Sequence, residues 1–168
     1  MNRYRQRMNF LDIVKKGDEK EISEMMETFE TLDLMFCDLC DDGACKIGSA
    51  LRKNISLISL NLKFNRIMDT GAKYIAIGLK QNESLKSLLL GWNNIDNDGA
   101  NEILLAFTTN FTLFTLDLSK NLVSKPILDV INCKLERNLL FSKRSLEFCF
   151  KLSDKKGLDV FGNVFFVT

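Results

Sequence analysis

The fold is decided by the stretch LISLNLKFNRIMDTGAKYIAIGLKQN, residues 57–82. Its hydrophobic residues change their period midway. Leu60 and Leu62 alternate with polar residues, which is typical of a strand with one buried face, whereas Ala72, Ile75 and Leu79 follow the spacing of a helix. The stretch therefore predicts a strand followed by a helix, and neither element can bury its apolar face alone.

The same pattern returns along the chain with a period of 28 residues. Three residue types recur in phase, in the series Leu32, Leu60, Leu88 and Leu116, the series Asn65, Asn93 and Asn121, and the series Gly43, Gly71 and Gly99. Stacking such units pairs their strands into one parallel sheet and aligns their helices outside it. We therefore predict an α/β solenoid of about four to five repeats, with a concave parallel β-sheet and convex α-helices.

The period divides the chain into three parts. Residues 1–28 form an N-terminal segment, with a capping helix predicted to run from Glu19 into Phe29. Four units fill 29–138, at approximately 29–56, 57–84, 85–112 and 113–140. In 141–168 we predict a degenerate fifth strand, from Phe141 to Cys149, and then an irregular apolar tail. The tail either tucks under the last helix or marks the chain as a piece of a longer array.

Three sets of repeat residues are expected to be structural. Loop asparagines can donate to and accept from the backbone of a turn, and this role falls to Asn65, Asn93 and Asn121, with Cys37 as the tolerated substitute. Side-chain oxygens suited to helix N-caps stand at Asp41, Asp69 and Asn97. Residues without a side chain, which let strand and helix approach closely, stand at Gly43, Gly71 and Gly99.

The order LxxLxLxxN, a Gly-Ala pair, an apolar helix and a closing Asn resembles the ribonuclease-inhibitor-like leucine-rich repeats (LRRs). The resemblance covers Phe29 to about Asn138. Proteins of this type include ribonuclease inhibitor, the sensor regions of NOD-like receptors, Ran GTPase-activating protein and the tropomodulins. They share a fold and differ in function. The resemblance implies binding to a protein partner whose identity it does not give.

Charge and composition narrow the classes of partner. The chain has 23 Lys and Arg against 22 Asp and Glu, so no net field attracts it to nucleic acid or to an anionic membrane. It shows neither a secretory signal nor an apolar run of membrane-spanning length. Its five cysteines, an odd number, indicate reduced thiols. We expect a cytoplasmic protein, with a nuclear location as the other possibility.

Candidate chemical sites do not meet the requirements of their classes. The chain has no histidine, which removes the Ser-His and Cys-His nucleophiles. The cysteine pair Cys37 and Cys40 lacks a complete zinc ligand set, and the calcium-like run ending at Gly99 lacks its glutamate. Glycosylation sequons begin at Asn54, Asn82 and Asn110, and their repeat spacing favours a structural role. No catalysis, cofactor, metal or small-molecule ligand is expected.

Four positions in each unit are predicted to face the concave side of the sheet. The last of them gives the row Phe36, Phe64, Trp92 and Lys120. Because parallel strands lie ~4.8 Å apart, the aromatic members of this row are expected to form an apolar strip. The strip either anchors a protein partner or covers the edge of the core. Beside it lies a predicted polar floor that includes Asp33, Asn61, Lys63 and Asp117.

These features predict a non-enzymatic protein–protein interaction module or scaffold, which binds its partner through the concave face. Two alternatives stay open. One is a GTPase-activating regulator resembling Ran GTPase-activating protein, which would stimulate GTP hydrolysis by a Ran-like GTPase. The other is a fragment of a NOD-like-receptor-type sensor whose nucleotide-binding part lies elsewhere, since this chain has no phosphate-binding Gly-rich loop.

Overall fold

The computed structural model describes residues 3–156 of the chain and the side chains of residues 8–143. The described part contains four strands, β1 (Thr31–Asp33), β2 (Ser59–Asn61), β3 (Ser87–Leu89) and β4 (Thr115–Asp117). It contains six helices, α1 (Arg3–Lys16), α2 (Glu19–Met26), α3 (Cys40–Leu51), α4 (Asp69–Leu79), α5 (Asn97–Ala106) and α6 (Lys125–Lys156). The predicted alternation of strand and helix is confirmed.

One parallel sheet contains the strands in chain order, β1-β2-β3-β4. Each strand pairs with the next at a register of one 28-residue period, so that Leu60 lies opposite Leu88. The core lies between this sheet and the helices, where Leu60, Leu88 and the helical residue Ile75 are fully buried. No helix within residues 3–156 is both long enough and apolar enough to cross a membrane.

The N-terminal cap is larger than predicted. The expected capping helix is α2, which begins after Asp18, whose side chain accepts hydrogen bonds from Lys20 N and Glu21 N at 3.0 Å. A further helix, α1, precedes it and buries Phe10 completely. The Lys46 ammonium of α3 donates to the Val14 carbonyl at 3.1 Å, where a cation stabilises the carboxyl end of α1.

The predicted N-caps act on the next unit instead of on their own helix. Asp69 is the first residue of α4, and its Oδ1 accepts hydrogen bonds from Asp96 N at 2.9 Å and from Gly99 N at 3.0 Å, at the start of α5. A Cβ on Gly99 would lie 2.4 Å from the same Asp69 oxygen. The glycine therefore makes room for a carboxylate of the preceding unit, and the predicted strand–helix contact is wrong. The same arrangement repeats at Asp41, Asn97 and Gly71.

The loop asparagines connect successive units, as the turn chemistry predicts. Asn93 is the fullest case. Its Oδ1 accepts from Asn65 N and Ile67 N at 3.0 Å, and its Nδ2 donates to Leu62 O at 3.0 Å and to Leu90 O at 2.9 Å. The side chain therefore satisfies buried backbone groups of two units at once. Asn65 and Asn121 bond in the same way, and Cys37 N donates to Asn65 at 3.0 Å.

We expect Asn93→Ala to lower the free energy of unfolding by about 1 to 3 kcal/mol, because it leaves buried backbone groups of the adjacent turn unpaired. Urea unfolding followed by circular dichroism measures the loss. The exposed Asn94→Ala is the matched control, since its side chain does not contribute to this buried network. Equal stability of the two variants would contradict the connecting role of Asn93.

A second series of asparagines stands at the end of each unit and accounts for the glycosylation sequons. Asn82 is 2% exposed, and its Nδ2 donates to Leu51 O at 2.8 Å while its Oδ1 accepts from Leu85 N at 2.7 Å. The hydroxyl of Ser84 donates to Asn54 O at 3.2 Å. The Asn-x-Ser/Thr sequence is therefore a turn that locks one unit onto the previous one. The structural interpretation of the sequons is confirmed by this geometry.

The predicted fifth strand from Phe141 to Cys149 is wrong, because α6 runs without a break from Lys125 to Lys156. Asn138 keeps its place in the second asparagine series, donating to Asn110 O at 3.3 Å, but it does so from inside the helix. Leu140 stands where other units have Ser or Thr, so the turn-forming hydroxyl is missing. Of the irregular tail predicted after Cys149, residues 150–156 belong instead to α6, and residues 157–168 lie outside the described part.

Candidate protein-binding surface

The predicted aromatic row forms a stack at the rim of the sheet. The Phe36 and Phe64 ring centroids are 4.3 Å apart at an interplanar angle of 22°, and those of Phe64 and Trp92 are 5.0 Å apart at 14°. The Lys120 ammonium lies 5.7 Å from the centroid of the Trp92 ring, within cation–π range. We refer to Phe36, Phe64, Trp92 and Lys120 as the aromatic ladder.

The ladder side chains stand on a backbone that does not favour them. Phe36, Phe64, Trp92 and Lys120 have φ values of 57°, 56°, 57° and 58°, in the left-handed region. That conformation is strained for a residue with a Cβ, by roughly 1 to 2 kcal/mol, and suits glycine or asparagine better. The turn after each strand therefore accounts for the positive φ, but it does not account for bulky aromatic side chains at these positions.

Stacking leaves the ladder accessible to solvent. Phe36 is 65% exposed and Trp92 is 51% exposed, while Phe64 between them is half-buried. Among the described residues, the hydrophobic side chains that pack against the buried core do not include any of these three rings. Because the rings stack face to face, they present their edges outward, and ring edges carry partial positive charge. The surface combines apolar area with a weak preference for electronegative groups.

The polar side chains in the row beside the ladder also bond to the protein's own backbone. The register places Asp33, Asn61, Leu89 and Asp117 in line across the sheet. Three of them accept a hydrogen bond from the backbone N–H two residues further on: Asp33 from Met35 N at 3.0 Å, Asn61 from Lys63 N at 3.1 Å and Asp117 from Ser119 N at 2.9 Å. These bonds turn the chain out of each strand toward the ladder.

An ion pair crosses the third unit. The Lys63 ammonium lies 2.6 Å from the Asp117 carboxylate, two strands away. Gly91 stands between them, and a Cβ there would lie 3.0 Å from Asp117 Oδ2. The missing side chain therefore creates the space in which the two charges meet. Burial raises the pKa of Asp117, but hydrogen bonds from Lys63 and Ser119 outweigh it and lower that pKa below the ordinary 3.8.

This lowered pKa predicts a pH dependence. The pair stabilises the fold above the ordinary carboxyl pKa of 3.8, and this stabilisation is lost as the pH falls through the lower folded-state pKa. We expect Asp117→Asn, which keeps the acceptor for Ser119 N, to be about 0.5 to 1 kcal/mol less stable than wild type near neutral pH. Urea unfolding across the acid range measures it. A difference that persists in strong acid would contradict the ion-pair account.

Three features of this surface are not predicted by the repeat pattern. Gly91 leaves space in the third unit. The sequence shows only that a glycine stands at the position occupied by Met35, Lys63 and Ser119 in the other units. Asp38 and Arg66 form an ion pair next to the ladder, both on left-handed backbone. Leu122 is 69% exposed at the equivalent position of the fourth unit. Among the described residues, no group of three or more His, Cys, Asp or Glu side chains is placed to hold a metal ion.

Comparisons with known proteins agree with this architecture. Residues 26–48, 53–76 and 81–104 match the family model described as Leucine Rich repeat. Among solved structures, the chain is similar to actin-binding site 2 of leiomodin-1, with a TM-score of 0.60 and 20% identity over 89% of this chain and 95% of that chain. At that identity the likeness shows the fold alone. No curated protein shows significant sequence similarity to the chain. The chain contains leucine-rich repeats arranged as a solenoid, and the ribonuclease-inhibitor-like subtype stays a prediction.

Proposed function

We propose that this leucine-rich-repeat solenoid is a non-enzymatic protein-interaction module that binds its partner through the aromatic ladder and the adjoining concave face. One observation carries the proposal: bulky aromatic residues recur at three left-handed backbone positions, where they stack with Phe36 and Trp92 exposed and Phe64 half-buried between them. Each such residue strains the backbone by roughly 1 to 2 kcal/mol, and stacking returns only about 0.5 to 1.5 kcal/mol per pair. Stability alone therefore gives little reason to keep them.

The composition of the surface fits a protein interface. Aromatic anchors surrounded by polar residues are typical of binding hot spots. Phe36, Phe64 and Trp92 supply such anchors, and the polar residues Asn61 and Lys63 lie on the adjoining floor. The leiomodin-1 structure is titled an actin-binding site. Actin is therefore one partner to test, although 20% identity supports only the shared fold.

Affinity capture from the native cell tests the proposal, with cosedimentation with filamentous actin as a separate arm. We expect Phe64→Ser with Trp92→Ser to lose the captured proteins at least about tenfold, since hot-spot truncations commonly weaken binding by 2 kcal/mol or more. The matched control is Ile55→Ser with Leu105→Ser, which removes two exposed apolar residues, 83% and 52% exposed, outside the ladder. Equal capture by the ladder variant and the wild type would refute the proposal.

A further inference from the structure

Four of the charged residues around the aromatic ladder pair with one another, whereas one charge in each end unit does not. Lys63 pairs with Asp117, and Asp38 pairs with Arg66. Within the described part of the chain, Asp33 in the first unit and Lys120 in the fourth have no oppositely charged partner, and both are exposed. The surface therefore has an unpaired negative charge in its first unit and an unpaired positive charge in its fourth. The two lie three strand spacings apart across the sheet and three residues apart along the strand direction, so about 17 Å separates them.

The spacing of the rings favours one kind of partner segment. The ring centroids are 4.3 and 5.0 Å apart along the ladder. Side chains on one face of an α-helix recur every turn, at about 5.4 Å, whereas those on one face of a strand recur at about 6.8 Å. The helical repeat is closer to the ladder. Successive turns of an amphipathic helix can therefore meet successive rings. Recognition of the apolar face of such a helix by a hydrophobic surface is a known mode of peptide binding.

From these two observations we propose that the ladder takes an amphipathic helix of a protein partner in a fixed orientation. Its apolar face meets the three rings, a basic side chain lies at the Asp33 end, and an acidic side chain lies at the Lys120 end. Residues eleven apart on a helix lie on nearly the same face and are about 16 Å apart, which is close to the separation of Asp33 and Lys120. This inference rests on the proposed function and adds the chemistry of the partner.

Three synthetic helical peptides with the same apolar stripe test it. They carry Arg and Glu, two Arg, or two Glu at positions eleven residues apart, on the same face of the helix. Wild type is expected to bind the Arg/Glu peptide best, D33K the Glu/Glu peptide and K120D the Arg/Arg peptide. Each mismatched charge is expected to weaken binding by roughly twofold to fivefold, the range for exposed ion pairs. Fluorescence anisotropy measures the affinities.

The matched control exchanges two charges on α6, in the variant Asp129→Lys with Lys134→Asp, which should rank the peptides as wild type does. The same ranking in wild type, D33K and K120D would overturn the proposal, and so would no measurable binding of any peptide. Loss of capture by the Phe64→Ser, Trp92→Ser variant together with an unchanged peptide ranking would leave the binding surface standing and remove only its orientation.

Discussion

Gly78→Ala is expected to lower the free energy of unfolding by about 3 kcal/mol, although alanine is the better helix former by about 1 kcal/mol. Gly78 of α4 packs against Gly48 of α3 with no side chain between the two backbones. A Cβ on Gly78 would lie 2.3 Å from the Gly48 carbonyl oxygen, and a Cβ on Gly48 would lie 2.4 Å from the Tyr74 carbonyl oxygen. Backbone atoms cannot rotate away, so the helices must separate.

Chemical denaturation followed by far-UV circular dichroism measures this loss. Ala106, one period after Gly78, supplies the control, because the α5 helix carries a methyl group at the same phase. Ala106→Gly is expected to reduce stability by about 1 to 2 kcal/mol, through helix propensity and the loss of one buried methyl group. A Gly78→Ala variant that is as stable as wild type, or more stable, would show that α3 and α4 are not held at backbone contact.

Leu60→Ala is expected to lower the free energy of unfolding by about 2 to 5 kcal/mol. Leu60 is fully buried at the centre of β2, between the equivalent leucines Leu32 and Leu88. Its removal opens a cavity that the two paired strands cannot fill, since each is fixed by its own hydrogen bonds. In a repeat protein the loss is transmitted to the interfaces on both sides of the unit.

The same denaturation experiment checks this expectation. The exposed Leu122→Ala, at a residue that is 69% exposed, should change stability by less than about 0.5 kcal/mol. A loss below about 1 kcal/mol for Leu60→Ala would mean that the sheet is not the centre of the core.

The repeat period made most of the architecture predictable. Leucines 28 residues apart can be read as paired strands because the register of the sheet is that period. The end of the array was harder to predict, because α6 continues through a position where one residue, Leu140, replaces the usual hydroxyl. The role of Asp69 in the next unit was also hidden, since a sequence pattern shows which side chain can cap but not which helix it reaches.

The ladder was predictable as a row and not as a stack. The repeat period and the alternation of the strand residues placed Phe36, Phe64 and Trp92 in line. Neither pattern contains information on the backbone φ or on the angle between the rings. The ion pair between Lys63 and Asp117 spans two strands and depends on the absence of a side chain at Gly91. A period of 28 residues shows which residues occupy equivalent positions, but it does not show which side chains meet in space. Binding by any of these residues stays a prediction.

Whether the ladder binds a partner or covers the core is tested most directly in the double variant Phe64→Asn with Trp92→Asn. Its free energy of unfolding and its capture of partners are measured together. Asparagine tolerates left-handed backbone, so relief of strain should offset most of the lost stacking. We predict a stability within about 2 kcal/mol of wild type, together with loss of the captured partner. A folded variant that still captures the partner would contradict the account, as would a loss of more than about 3 kcal/mol, which would identify the rings as core.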